Sequence, residues 1–104
     1  IPIQPSPMDV WAAAETIDLV RDVQVYKPNL KCVLTINRKI ASTAIGRDVR
    51  KALIELETPV LNTDVGQRVA FAESAAIGST VLDLGRNKAR KEIEKLVNEL
   101  RRQF

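Results

Sequence analysis

The sequence predicts an α/β fold, three-layered, with a mostly parallel sheet and covering helices. Two observations lead there. Short apolar runs alternate with longer stretches of helical periodicity, in the order strand, helix, strand, helix, strand, helix, helix. Alternation of this kind builds right-handed parallel crossovers and a helix-covered sheet. The run at residues 31–36 (KCVLTI) is also nearly continuously apolar, which suits a strand buried on both faces.

Residues 1–4 (IPIQ) read as the tail of a strand whose start is missing, so a chain cut from a longer one is expected. Pro5-Ser6-Pro7 breaks the backbone. Ser6 then suits an N-cap, with Pro7 at the first helical position and Asp9 where a capping-box acid would stand. Val10, Ala13, Ala14, Ile17 and Val20 share one helical face, and the helix runs out near Lys27, before Pro28. Asn37-Arg38-Lys39 closes the KCVLTI strand. A polar loop around Ser42 and Thr43 follows, with Thr43 as a second N-cap. Ile45, Val49, Ala52, Leu53 and Leu56 mark the next helix, ending near Glu57. Residues 58–61 (TPVL) are predicted as a third strand ending in Asn62-Thr63-Asp64. A short helix over residues 67–76 stops before Gly78. Ala89, Ile93, Leu96, Val97, Leu100 and Phe104 mark the last helix. The chain is one α/β segment over residues 1–104, and three strands would leave two open sheet edges.

Composition narrows the chemistry. The hydrophobic fraction is 45% and only 4% is aromatic, so the core has to be aliphatic. No histidine is present, which excludes His-based acid/base catalysis and His metal ligation within this chain. Cys32 is the single cysteine, so no internal disulfide forms, as fits a reducing cytoplasm. No apolar run approaches the about 18 residues of a membrane span. Net charge is +3, with seven Lys/Arg against three Asp/Glu from Arg86 onward. A basic terminal segment suits an anionic partner, or is simply a solvated helix face.

In wound parallel sheets, ligands bind beyond the C-terminal strand ends. Here those ends are Gln4-Pro5-Ser6-Pro7, Asn37-Arg38-Lys39 and Asn62-Thr63-Asp64. Turn chemistry alone can produce the same polar residues.

The stretch IPIQPSPMDVWAAAETIDLV, the strand ending in Asn37-Arg38, and VLNTDVGQRVAFAESAAIGSTVLDLG follow one another in an order that resembles the C-terminal half of ParA/MinD-type P-loop ATPases. The resemblance covers essentially the whole chain and implies the C-terminal half of a P-loop NTPase fold. It implies that Asn37 hydrogen-bonds an adenine edge, that Arg38 flanks the base or meets a partner, and that Asn62, Thr63 and Asp64 wrap the other side of the base. Pro5 and Pro7 would belong to the proline-rich turn near the nucleotide. Each has a plainer reading as a turn, cap or surface residue.

The same resemblance implies ATP or ADP with Mg²⁺ as cofactor of an intact parent. No tight binding is expected here. The four glycines, Gly46, Gly66, Gly78 and Gly85, are scattered and form no phosphate loop, so the chain is expected not to hydrolyse ATP alone. Implied partners are non-specific DNA, a ParB-type centromere-binding protein and a second copy of the chain, joined through the open sheet edge. The DNA would meet Arg47, Arg50, Lys51, Arg86, Lys88, Arg90, Lys91 and Lys95. A membrane anchor is not expected, because Phe104 is the one aromatic residue on the terminal helix. The implied location is the cytoplasm, at the nucleoid, and the implied role is plasmid or chromosome partition. The competing reading is a stand-alone α/β module that binds protein or DNA without nucleotide.

Overall fold

The computed structural model describes residues 1–40 and 43–104, and Ser42 of the expected polar loop lies outside them. The described elements run β1 (Pro2–Ile3), α1 (Pro7–Tyr26), β2 (Thr35–Ile36), α2 (Ala44–Ile54), α3 (Val69–Ala76) and α4 (Lys88–Gln103).

Local chemistry sets the helix starts. The Ser6 hydroxyl accepts from the Asp9 N–H at 3.1 Å, and Pro7 leads the helix. The Asp9 carboxylate reaches back past the cap to the Gln4 N–H at 2.8 Å. Thr43 caps α2 through the Gly46 N–H at 3.3 Å, and Asn87 caps α4 through the Arg90 N–H at 2.8 Å. Such caps each contribute about 1 kcal/mol. At the end of α3, Gly78 takes a φ of 70°, a left-handed conformation that suits glycine, and the Ser79 N–H bonds back to the Ser74 carbonyl.

The core forms on one side of β1 and β2. Ile3, Leu34 and Ile36 pack against Ala13 and Ile17 of α1 and Val49 and Leu53 of α2. Ile1, Val10, Leu56 and Val60 close its margins. Strand geometry sends Leu34 and Ile36 to one face and Thr35 to the other.

The expected three-layer, mostly parallel sheet does not form. Among the described residues the structure is mostly helical (54%), and the sheet holds only β1 and β2, paired in parallel with Pro2 beside Thr35 and Ile3 beside Ile36. The segment predicted as a third strand, residues 58–61, meets its neighbour at one isolated bridge, Leu34–Val60, and a second bridge, Lys39–Gly66, follows beyond its end. The reason lies between those bridges. After the Leu61 N–H, which bonds to the Leu34 carbonyl, the next amide due to face β2 is that of Thr63, and it turns instead, with the Asn62 amide, to the Glu99 carboxylate of α4, at 2.8 and 2.6 Å. The ladder is broken there and resumes only where the Val65 N–H reaches the Ile36 carbonyl at 2.8 Å.

Helix α4 runs back along this segment. Glu92 meets Gly66, Glu99 meets Asn62 and Thr63, and at the far end Lys31 sits over the Phe104 ring at 5.8 Å. Among the described residues no helix is long and apolar enough to cross a membrane.

Candidate functional site

The second face of the sheet opens into a cleft of about 950 Å³. Pro2 and Thr35 form its floor, the residues that alternate with buried Ile3 and Ile36. Asn37 and Arg38, just past the end of β2, stand on the rim. Residues 65–69 make one wall. Phe71 and Ala72 of α3, with Ile93 and Leu96 of α4, make the other.

Arg38 has a φ of 53°, unusual for a residue with a Cβ. The Asn37 side chain supports it, its Oδ1 accepting the Arg38 N–H at 2.9 Å. The asparagine therefore does the turn-capping job while also lining the cleft. The wall carries a second fixed group. Arg68 donates through Nη2 and Nε to Glu92 Oε1 at 2.5 and 3.2 Å, and Glu92 Oε2 accepts the Gly66 N–H at 2.9 Å. A Cβ on Gly66 would stand 3.3 Å from both partners, so a larger residue there would push the Arg68 and Glu92 side chains back by a few tenths of an ångström.

Burial pushes the Glu92 carboxyl up. The Arg68 guanidinium, the Gly66 amide and the charge of Lys95 more than reverse this, leaving it below its ordinary value. Glu99 behaves alike at 6% exposure. Burial raises it, while the Asn62 and Thr63 amides, the Thr63 hydroxyl and Arg102 bring it below its ordinary value. The hydrogen bond to Glu92 raises Arg68 further above neutrality.

The remaining sequence-predicted residues are not gathered at the cleft. Asn62 and Thr63 give their amides to Glu99. Asp64 is held between Lys39, at 2.8 Å, and Arg50, whose Nη1 also donates to the Leu61 carbonyl at 3.2 Å. Pro7, with Ser6, borders a separate groove of about 220 Å³ between α1 and α2, beside Trp11 and Ile45. Pro5 lines neither cavity. Of the basic residues, Arg50 is engaged by Asp64, and Arg90 pairs with Glu94 at 2.9 Å. Arg47, Lys51, Arg86, Lys88, Lys91 and Lys95 are exposed. Lys88, Lys91 and Lys95 lie at spacings of three and four, on one stripe of α4.

The sequence reading passed over Gly66, Arg68, Phe71, Glu92 and Glu99. A signal for the two glutamates existed. They stand seven residues apart on α4, beside the stripe that contains Ala89 and Leu96, where a carboxylate needs buried donors. Among the described residues there is no group of three or more Cys, Asp or Glu placed to hold a metal ion.

The chain is 32% identical over 102 residues to Maintenance of carboxysome distribution protein A of Halothiobacillus neapolitanus. That protein is a homologue of this chain. The alignment takes in 96% of this chain and 47% of the relative, so the chain spans about half of the length of the curated relative it matches. No protein-family model matches the chain.

Proposed function

We propose that this chain is the adenine-side and partner- or DNA-contacting portion of a ParA-type ATPase that distributes a cellular cargo. The observation that carries the reading is the 32% identity across nearly the whole chain to a protein named for maintaining carboxysome distribution. The order of the Pro-Ser-Pro turn, the Asn37-Arg38 strand end and the closing segment, within the same aligned residues, agrees with it.

The cleft suits a purine base. Phe71, Val65, Ile93 and Leu96 offer apolar walls to a flat ring, and Thr35, Asn37 and Gln67 offer hydrogen-bonding groups to its edge. Phosphates and Mg²⁺ find no comparable fit among the described residues, which show neither a glycine-rich cradle nor an acidic cluster. No catalytic step is therefore assigned to this chain. In an intact ATPase the phosphate chemistry would belong to other residues, and this part would bind and orient the base.

Adenosine is the probe that tests this reading, because its binding needs no phosphate contacts. Titrated into the isotope-labelled chain, it is expected to shift the backbone amides of residues 35–38 and 65–68. Asn37→Ala is expected to weaken that binding about tenfold and to cost about 1 kcal/mol of stability through the lost support of Arg38. Shifts that avoid these residues, or no shift at millimolar adenosine, would favour the interaction module without nucleotide.

DNA contact falls to the exposed basic residues Arg47, Lys51, Arg86, Lys88, Lys91 and Lys95. Such binding is expected to be independent of sequence and to weaken steeply with salt, by about 0.9 log units per log unit of salt for each phosphate neutralised. Fluorescence anisotropy with a labelled duplex measures the slope. Lys91→Glu combined with Lys95→Glu is expected to lower it by about two contacts' worth. Binding that is insensitive to salt would refute a phosphate-contact role.

A further inference from the structure

Residues 62–68 are strung between two supports. On one side, the Val65 N–H bonds to the Ile36 carbonyl and the Val65 carbonyl accepts from the Lys39 N–H, which ties the segment to the β2 end. On the other side stand two carboxylates of α4. Glu99 takes the Asn62 and Thr63 amides, and Glu92 takes the Gly66 amide and the Arg68 guanidinium. Seven residues apart, the two lie on one helix face, about 10 Å along its axis. Three of the groups they hold are backbone N–H groups outside any strand ladder. The carboxylates therefore fix the path of the chain itself, as well as side-chain contacts. Ile93 and Leu96, between them on α4, line the cleft that this same segment walls.

We propose that Glu92 and Glu99 are positioning residues for the cleft, setting the distance between the wall at residues 65–68 and the rim at Asn37 and Arg38. The inference rests on the purine reading for its ligand but not for its geometry. Glu99 is nearly enclosed, whereas Glu92 is partly exposed, so Glu92→Gln is the safer variant and Glu99→Gln the second. A glutamine keeps the size of the side chain and removes its charge and one of its two acceptor oxygens.

Amide hydrogen exchange and adenosine titration on the labelled chain test the proposal. Both variants are expected to stay folded, with exchange of residues 62–68 accelerated about tenfold or more beyond any change at residues 34–36. Adenosine affinity is expected to fall about tenfold. A purely structural role would accelerate exchange by the same factor at residues 34–36 as at 62–68, and that result, or unchanged exchange at 62–68, overturns the proposal. Unchanged adenosine affinity in both folded variants overturns it as well. If the unsubstituted chain binds no adenosine, the purine reading falls, and the exchange pattern alone decides whether the two glutamates position the wall.

Discussion

Replacing Glu99 by alanine is expected to lower the stability of the fold by about 2–4 kcal/mol. The substitution strands the Asn62 and Thr63 amides, which bond to the carboxylate at 2.6 and 2.8 Å. A buried donor left without a partner costs about 1–3 kcal/mol. Asn62 is exposed and Thr63 half-buried, so water can replace part of what is lost. Urea denaturation followed by circular dichroism gives the value, with the midpoint falling and the slope unchanged. A loss below about 0.5 kcal/mol would mean that the amides are satisfied without the carboxylate. The same group gives the fold an acid sensitivity. The folded pKa of Glu99 is lowered. Its stabilisation is thus complete above the unfolded pKa of about 4.3 and is lost as pH falls through the lower folded value. Glu92 acts with the same sign. Stability of the unsubstituted chain should fall more steeply below about pH 4.3 than that of Glu99→Ala.

Leu34→Ala is expected to cost about 2–5 kcal/mol, the range for a fully buried aliphatic side chain. Leu34 is 0% exposed. Its N–H bonds to the Pro59 carbonyl and its carbonyl accepts from Leu61, both at 2.8 Å, so the backbone is pinned on the side away from β1. A backbone held in this way collapses poorly onto the cavity, which favours the upper part of the range. Thermal or urea unfolding measures the loss. Equal destabilisation by Thr35→Ala, on the cleft face, would show that the two sides of β2 are equally well packed and would contradict the description of the core.

The contrast between these two residues shows what the sequence could reveal. Caps were legible because a cap and its target lie within one turn. Ser6 with Asp9 and Thr43 with Gly46 are readable three residues apart. The apolar faces of α1 and α2 were legible from their period. The third strand was misread because its fate depended on a competition across 37 residues. The TPVL run has the composition of a strand, but the next two amides found a carboxylate on α4. Nothing near Asn62 announces that partner. The site divided along the same line. Asn37 and Arg38 could be placed at a strand end because that is a local feature. The opposite wall, from Gly66 to Arg68, depends on the docking of α4 and carries no local mark of its own. The terminal stripe was only half right in burial. Ala89 is 1% exposed, whereas Phe104 is 64% exposed and meets Lys31 rather than the core.

Trp11, the single tryptophan, is 68% exposed at the groove between α1 and α2. An indole already in water changes little in emission when the chain unfolds, so intrinsic fluorescence will follow the unfolding transition poorly. The same position makes it a sensitive optical reporter of anything that settles against α1. A blue shift on mixing or concentration would then record contact at that helix, free of signal from the cleft on the other side of the sheet.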